Sequence, residues 1–172
     1  MGIRNYLIEG VSGAGKTTVA EELERRGYHV VHGDRVLAYI GDPETGEKLD
    51  GPPPGMADPV AWSYERWIWP VDEVRSRIAD RSHPITFFCG GCRNFHHFIA
   101  LFDGVFILDL DADTLLRRLE GRPDDEFGGR SEEQAVVLRA HATHAGLPNG
   151  MRIDATAPPT SVVDDILGRI NA

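Results

Sequence analysis

Residues 10–18 read Gly-Val-Ser-Gly-Ala-Gly-Lys-Thr-Thr, between the apolar run at 6–9 and the helical-looking stretch from Val19 to Gly27. Gly10, Gly15, Lys16 and Thr17 fit the phosphate-loop spacing in full, and Gly13 adds a further glycine. Glycines allow backbone N–H groups to curl around a phosphate, and the following helix presents its positive end to the same group. Lys16 then reaches the β/γ oxygens, and the Thr17 hydroxyl is placed to coordinate Mg2+. Gly10, Gly13, Ala14, Gly15, Lys16, Thr17 and Thr18 are therefore the expected nucleotide-binding residues, with ATP and Mg2+ as the implied cofactors. The position of the loop, after a strand and before a helix, is the context that this chemistry requires.

The elements around the loop alternate. Strands are expected at 5–10, 28–34, 84–91, 104–110 and 151–156, with helices at 16–27, 71–82, 111–122, 132–146 and 161–170. The fourth of these strands, Gly-Val-Phe-Ile-Leu-Asp-Leu, is almost continuously apolar, as where a parallel sheet is covered on both faces. Strands alternating with helices argue an α/β domain with a mostly parallel sheet. Residues 41–59 read as loop, rich in Gly, Pro and Asp.

With 172 residues, the chain is long enough for one domain with its own core. Its 27 acidic and 18 basic side chains give a net charge of −9, a poor match for a polyanionic duplex. No apolar stretch is long enough for a signal peptide or a membrane span. Two cysteines do not make a secreted disulfide framework, so a cytoplasmic protein is expected.

The phosphate loop, the stretch ending His32-Gly33-Asp34, Phe87-Phe88-Cys89-Gly90-Gly91, residues 104–123 and residues 152–159 together resemble P-loop small-molecule kinases. The likeness is to the nucleoside-monophosphate-kinase and shikimate-kinase type and runs over nearly the whole chain. It implies a three-layer fold with five parallel strands in the order 2-3-1-4-5. It also implies a substrate-binding region at about 35–82 and a mobile lid at about 120–133. The implied activity is ATP-dependent phosphotransfer to a small acceptor: a nucleoside or nucleotide, a shikimate-like acid or a natural product.

Asp34, at the end of the second strand, is expected at the carboxyl edge of the sheet, where ligands bind in open α/β folds. A carboxylate there can take the acceptor's proton or hold a magnesium-bound water; it could equally cap a helix over 35–40. The third strand carries no Walker B aspartate, which leaves Asp34 the first choice for the metal and Asp109 or Asp111 the next. In the resembling kinases glycines at this point meet the substrate, so Gly90 and Gly91 are expected to do so. Arg93 offers a positive fork for an anionic group, and Arg35 either anchors substrate or forms a surface ion pair. Among Trp62, Tyr64, Trp67 and Trp69, which could stack on a flat ring, Trp67 is taken as a substrate contact, and Trp62 and Trp69 could be core.

The resemblance places Arg118 against the adenine, with Thr156, Ala157 and Pro158 on its other side. Arg122 and Arg130 flank the lid and could hold the transferring phosphoryl group, or pair with Asp124, Asp125 or Glu126. Cys89 and Cys92 could form a redox pair or, with His96 and His97 or His141 and His144, a metal site; packing is the plainer account. A nucleotide-dependent switch or a binding module are the alternatives to a kinase. Lys16→Ala is expected to cut turnover by orders of magnitude and leave circular dichroism unchanged, because the ammonium serves phosphates and not the core.

Overall fold

The computed structural model describes residues 3–171. In chain order it contains β1 (Arg4–Glu9), α1 (Lys16–Arg25), β2 (His29–His32), α2 (Gly33–Val36), β3 (Tyr39–Ile40), α3 (Pro59–Glu65), β4 (Trp67–Ile68) and α4 (Val71–Ala79). There follow β5 (Ile85–Cys89), two 3-10 turns (Phe95–His97 and Ile99–Leu101), β6 (Gly104–Asp109), α5 (Ala112–Glu120), α6 (Ser131–Thr143), β7 (Met151–Asp154) and α7 (Pro159–Ile170).

The long strands form one parallel sheet in the order β2-β5-β1-β6-β7. Counting only these strands, that is the expected order 2-3-1-4-5. Successive side chains alternate between two apolar layers, as the strand period of two dictates. Tyr6 and Ile8, Phe87 and Cys89, Phe106 and Leu108 join the layer shared with α1, α5, α6 and α7. Leu7 and Phe88 face the other layer, with Trp69, Val74, Phe98 and Phe102. The two cysteines fall one in each layer and both are buried, which pushes both thiols up. They are packing residues in this fold.

The region between β2 and β5 departs from the expected elements. The second strand stops at His32, and Asp34 lies in the single turn of α2. No helix runs over 35–40; instead Tyr39–Ile40 pairs antiparallel with Trp67–Ile68 as a short ribbon. Local propensity favours this outcome, since both pairs join an aromatic residue to isoleucine. Gly41 N–H donates to the Arg66 carbonyl and closes the ribbon.

Trp69 anchors the ribbon to the sheet. It is fully buried and stacks on Phe98 with centroids 6.2 Å apart. The buried Asn94 side chain brackets its backbone, accepting from Trp69 N–H and donating to Trp69 O. Gly33 has no side chain because Trp69 occupies the place; a Cβ there would lie 2.1 Å from the indole. Trp69→Ala should lower unfolding stability by about 3–5 kcal/mol, read from a urea titration, because the cavity cannot close around a bracketed backbone.

Candidate active site

The sheet order makes β1 the switch point, since the chain continues to one side of it through β5 and to the other through β6. Ligands bind outside the carboxyl ends of strands at such points. The loop from β1 to α1 curls there through Gly13 (φ 86°) and Gly15 (φ 100°), left-handed conformations suited to glycine. Among the described residues, the N–H groups of Gly13, Gly15, Lys16, Thr17 and Thr18 find no backbone acceptor. Helix α1 also has no side-chain cap. Such a row of unpaired donors at a ten-residue helix fits an anion.

Lys16 Nζ folds back onto the carbonyls of Gly10 (2.5 Å) and Val11 (3.1 Å). Burial lowers its pKa, opposed by the carboxylates of Asp34 and Glu9. Thr17 is exposed to the cleft beside it. Its hydroxyl and the Asp34 carboxylate are hard oxygen donors, the set that suits Mg2+.

Across the cleft, Asp34 Oδ1 accepts from the Gly91 N–H at 3.0 Å and from Trp67 Nε1 at 3.2 Å. Oδ2 is left without a protein partner among the described residues. Gly91 does more than donate. A Cβ on it would lie 2.4 Å from Glu9 Oε1 and 3.0 Å from Arg93 Nη2, so three charged side chains converge on one bare position. Glu9, the last residue of β1, is fully buried. Burial lifts its pKa to about 7 in spite of the positive charges of Arg93 and Lys16.

Arg93 is nearly buried itself. Its Nη1 donates to Tyr64 Oη at 2.7 Å, its guanidinium lies 4.5 Å from the Tyr64 ring centre, and Nη2 approaches Glu9 Oε1 at 3.6 Å. The expected free fork for substrate is thus engaged by Glu9 and Tyr64, although it still borders the cleft. Gly90 does not border it. Its missing side chain makes room for the Trp69 ring (2.8 Å) and the Asp34 backbone (2.9 Å). Asp109 is bound by Arg152, and Asp111 caps α5 through the Thr114 N–H; neither lines the cleft.

At the nucleotide end, Arg118 spans the loop and the β7–α7 connection. Nη1 reaches the Ala14 carbonyl at 3.3 Å and Nη2 the Ala155 carbonyl at 2.7 Å. Ala157 lines the same wall with Ala155, Pro159 and Val162. Thr156 and Pro158 do not; Thr156 turns outward onto Asp154. Between α5 and α6, Arg122 donates to Ser12 Oγ at 2.9 Å and to Glu126 Oε2 at 3.0 Å. Arg130 stands apart from the cleft at the start of α6, where its N–H leans on Glu133. The side chain missing from the expected set was instead Phe127, stacked 6.2 Å from Tyr64 with an interplanar angle of 17°.

Together these groups line one cleft of about 1040 Å³, with Lys16, Asp34, Arg35, Trp67, Arg118 and Arg122 on its walls. Pockets for a drug-sized ligand run to roughly 300–1,000 Å³, so this cleft stands at the upper end of that range. A family of AAA domains matches residues 7–139, more than half of the chain.

The chain belongs to the AAA domain family. Its fold is that of P-loop small-molecule kinases. A sugar kinase from Janibacter sp. HTCC2649 superposes with a TM-score of 0.58 at 18% identity, covering 98% of this chain and 95% of that one. A gluconokinase from Sinorhizobium meliloti 1021 gives 0.54 at 19%, covering 96% and 90%. Deoxyadenosine kinase from M. mycoides, solved with bound dATP, gives 0.51 at 13%, covering 97% and 99%. No curated protein matches this AAA domain in sequence.

Besides Phe127, sequence reasoning passed over Glu9 of this AAA domain. Its signal was present: a carboxylate ending a buried apolar strand is costly unless a partner waits. That partner, Arg93, is distant in sequence and meets it only across the sheet. Because Glu9 holds its proton to about pH 7 in the fold and loses it near 4.5 when unfolded, the native state binds more protons between those values. Stability should therefore fall as pH rises through that window, by about 3 kcal/mol in total, and level off above it. Thermal melts of wild type and Glu9→Gln from pH 5 to 8 should differ by this slope, with the glutamine form the flatter.

Proposed function

We propose that the protein is an ATP-dependent phosphotransferase that moves the γ-phosphate to a hydroxyl of a small molecule. The observation that carries this reading is Asp34. One of its carboxylate oxygens is pinned by Gly91 and Trp67, the other has no protein partner among the described residues, and Asp34 lines the same cleft as Lys16. A carboxylate fixed in that way can accept a hydrogen bond from an acceptor hydroxyl and take its proton as the new O–P bond forms. The O–P bond to the leaving diphosphate breaks, and ADP departs.

The loop amides and Lys16 hold the phosphate chain. Thr17 and Asp34 are the donors for Mg2+, which neutralises phosphate charge when bound. Arg122, joined to Ser12 of the phosphate loop, is suited to meet charge on the transferring group, and Arg118 with Ala157 to border the base. Residues 35–82 act as the acceptor region, contributing Arg35, Ile40, Ser63, Tyr64 and Trp67, and residues 120–133 as the lid, contributing Arg122, Asp125, Glu126 and Phe127.

A hydroxyl suits this acceptor end better than a phosphate. Arg93 is engaged by Glu9, and Arg35 is left as the cation beside Asp34. Tyr64, Trp67 and Phe127 offer flat apolar walls to a ring. The folds of a sugar kinase, a gluconokinase and a deoxyadenosine kinase support the same class.

The test is ADP release from ATP and Mg2+ with a panel of sugars, sugar acids and deoxynucleosides. Acceptor-dependent turnover is expected. Slow, acceptor-independent hydrolysis would instead point to a nucleotide-dependent switch. Asp34→Asn should lower kcat by about 10²–10⁴-fold while nucleotide affinity stays close to wild type, and an unchanged kcat would remove Asp34 from the chemistry.

A further inference from the structure

Outside the cleft, Glu44, His96 and His97 bring one ligand-capable atom each to within 4.8 Å of one another. They come from two segments far apart in sequence: the loop after β3 and the first 3-10 turn after β5. None of the three lines the cleft. His96 Nε2 lies 3.2 Å from Glu44 Oε1, and the two imidazole rings stand 4.2 Å apart at 38°.

His97 Nε2 lies 2.9 Å from the Pro43 carbonyl. A carbonyl only accepts, so this nitrogen carries the hydrogen, and the lone pair of the neutral ring is on Nδ1. A histidine whose other nitrogen is held by a backbone carbonyl is the usual arrangement behind a metal ligand, with orientation and tautomer already set. Two imidazoles and one carboxylate suit a borderline dication, with water completing a tetrahedron, and do not suit Mg2+.

We propose that Glu44, His96 and His97 form a site for a divalent transition metal of the Zn2+ type, which clips the loop at 42–49 to the turn at 95–97. The clip would act beside the acceptor end. Asp42 N–H bonds the Glu47 carbonyl, Leu49 N–H bonds the Ile40 carbonyl, and Tyr39 Oη donates to the Gly46 carbonyl, which ties this loop to the ribbon. Ile40 and Trp67 of that ribbon line the cleft. On the other side, the turn follows directly from Asn94, which brackets Trp69. The proposal does not depend on the phosphotransferase reading.

The full chain, stripped with a chelator, would be titrated with Zn2+ by calorimetry in excess Mg2+, which saturates the cleft's oxygen donors. One site is expected. His96→Asn and Glu44→Gln should each weaken it by about tenfold or more. His29→Gln, which breaks the other close histidine pair with His83, should leave it unchanged. Both test positions are well exposed, so the variants should keep the wild-type circular dichroism. At a hundredfold excess over Kd, Zn2+ should raise the wild-type Tm by about 5–10 °C and that of His96→Asn by far less. Amide exchange at 42–49 should slow in wild type alone. Absence of Zn2+ binding, equal affinity in His96→Asn, or binding lost with Asp34→Asn instead would overturn the proposal.

Discussion

At the carboxyl edge of the sheet, Glu9 from β1 and Asp34 from the turn after β2 approach the same backbone position, and Arg93 reaches it from a third direction. Only a residue without a side chain can stand between them, and Gly91 does. Its N–H holds Asp34 toward the cleft, while its bare Cα leaves the space in which Glu9 meets Arg93. Burial favours the protonated form of Glu9 and Arg93 opposes it, and the guanidinium reaches the carboxyl only because the position is empty. One glycine thus both orients Asp34 and makes room for the buried pair beneath it.

That housing has a cost that the fold leaves partly unmet. Glu9 Oε1 and Arg93 Nε are buried without hydrogen-bond partners among the described residues. Leaving such atoms unsatisfied costs about 1–3 kcal/mol each, more when charged. Strain of this kind concentrates where sites are built. Here two such atoms lie directly under the cleft, and Trp69 Nε1, inside the apolar layer below the ribbon, is a third.

The cleft is completed by parts of the chain that no single element determines. Tyr64 from α3 stacks on Phe127 from the segment between α5 and α6, and Phe127 gives its carbonyl to Ser12 of the phosphate loop. Helix α3, the segment between α5 and α6 and the phosphate loop are therefore joined through one aromatic pair and one hydroxyl. Arg122 reaches the same hydroxyl from the lid side.

The phosphate loop was legible residue by residue, because its chemistry is local: glycine conformations, a helix end, a lysine and a threonine at fixed spacing. The five main strands were legible too, β6 as a near-continuous apolar run and the others as short runs alternating with helices, and the likeness to small-molecule kinases supplied their order. The sequence also marked Asp34 and Trp67, but not that one bonds the other. What it left open was every feature made by distant residues meeting. The ribbon of Tyr39–Ile40 and Trp67–Ile68 is too short to show a period. The pairing of Glu9 with Arg93 and the contact of Arg93 with Tyr64 depend on which elements lie side by side. Composition and spacing fix what a segment can do locally. Which charges become neighbours, and so which remain available to a ligand, was decided only when the sheet brought its carboxyl ends together.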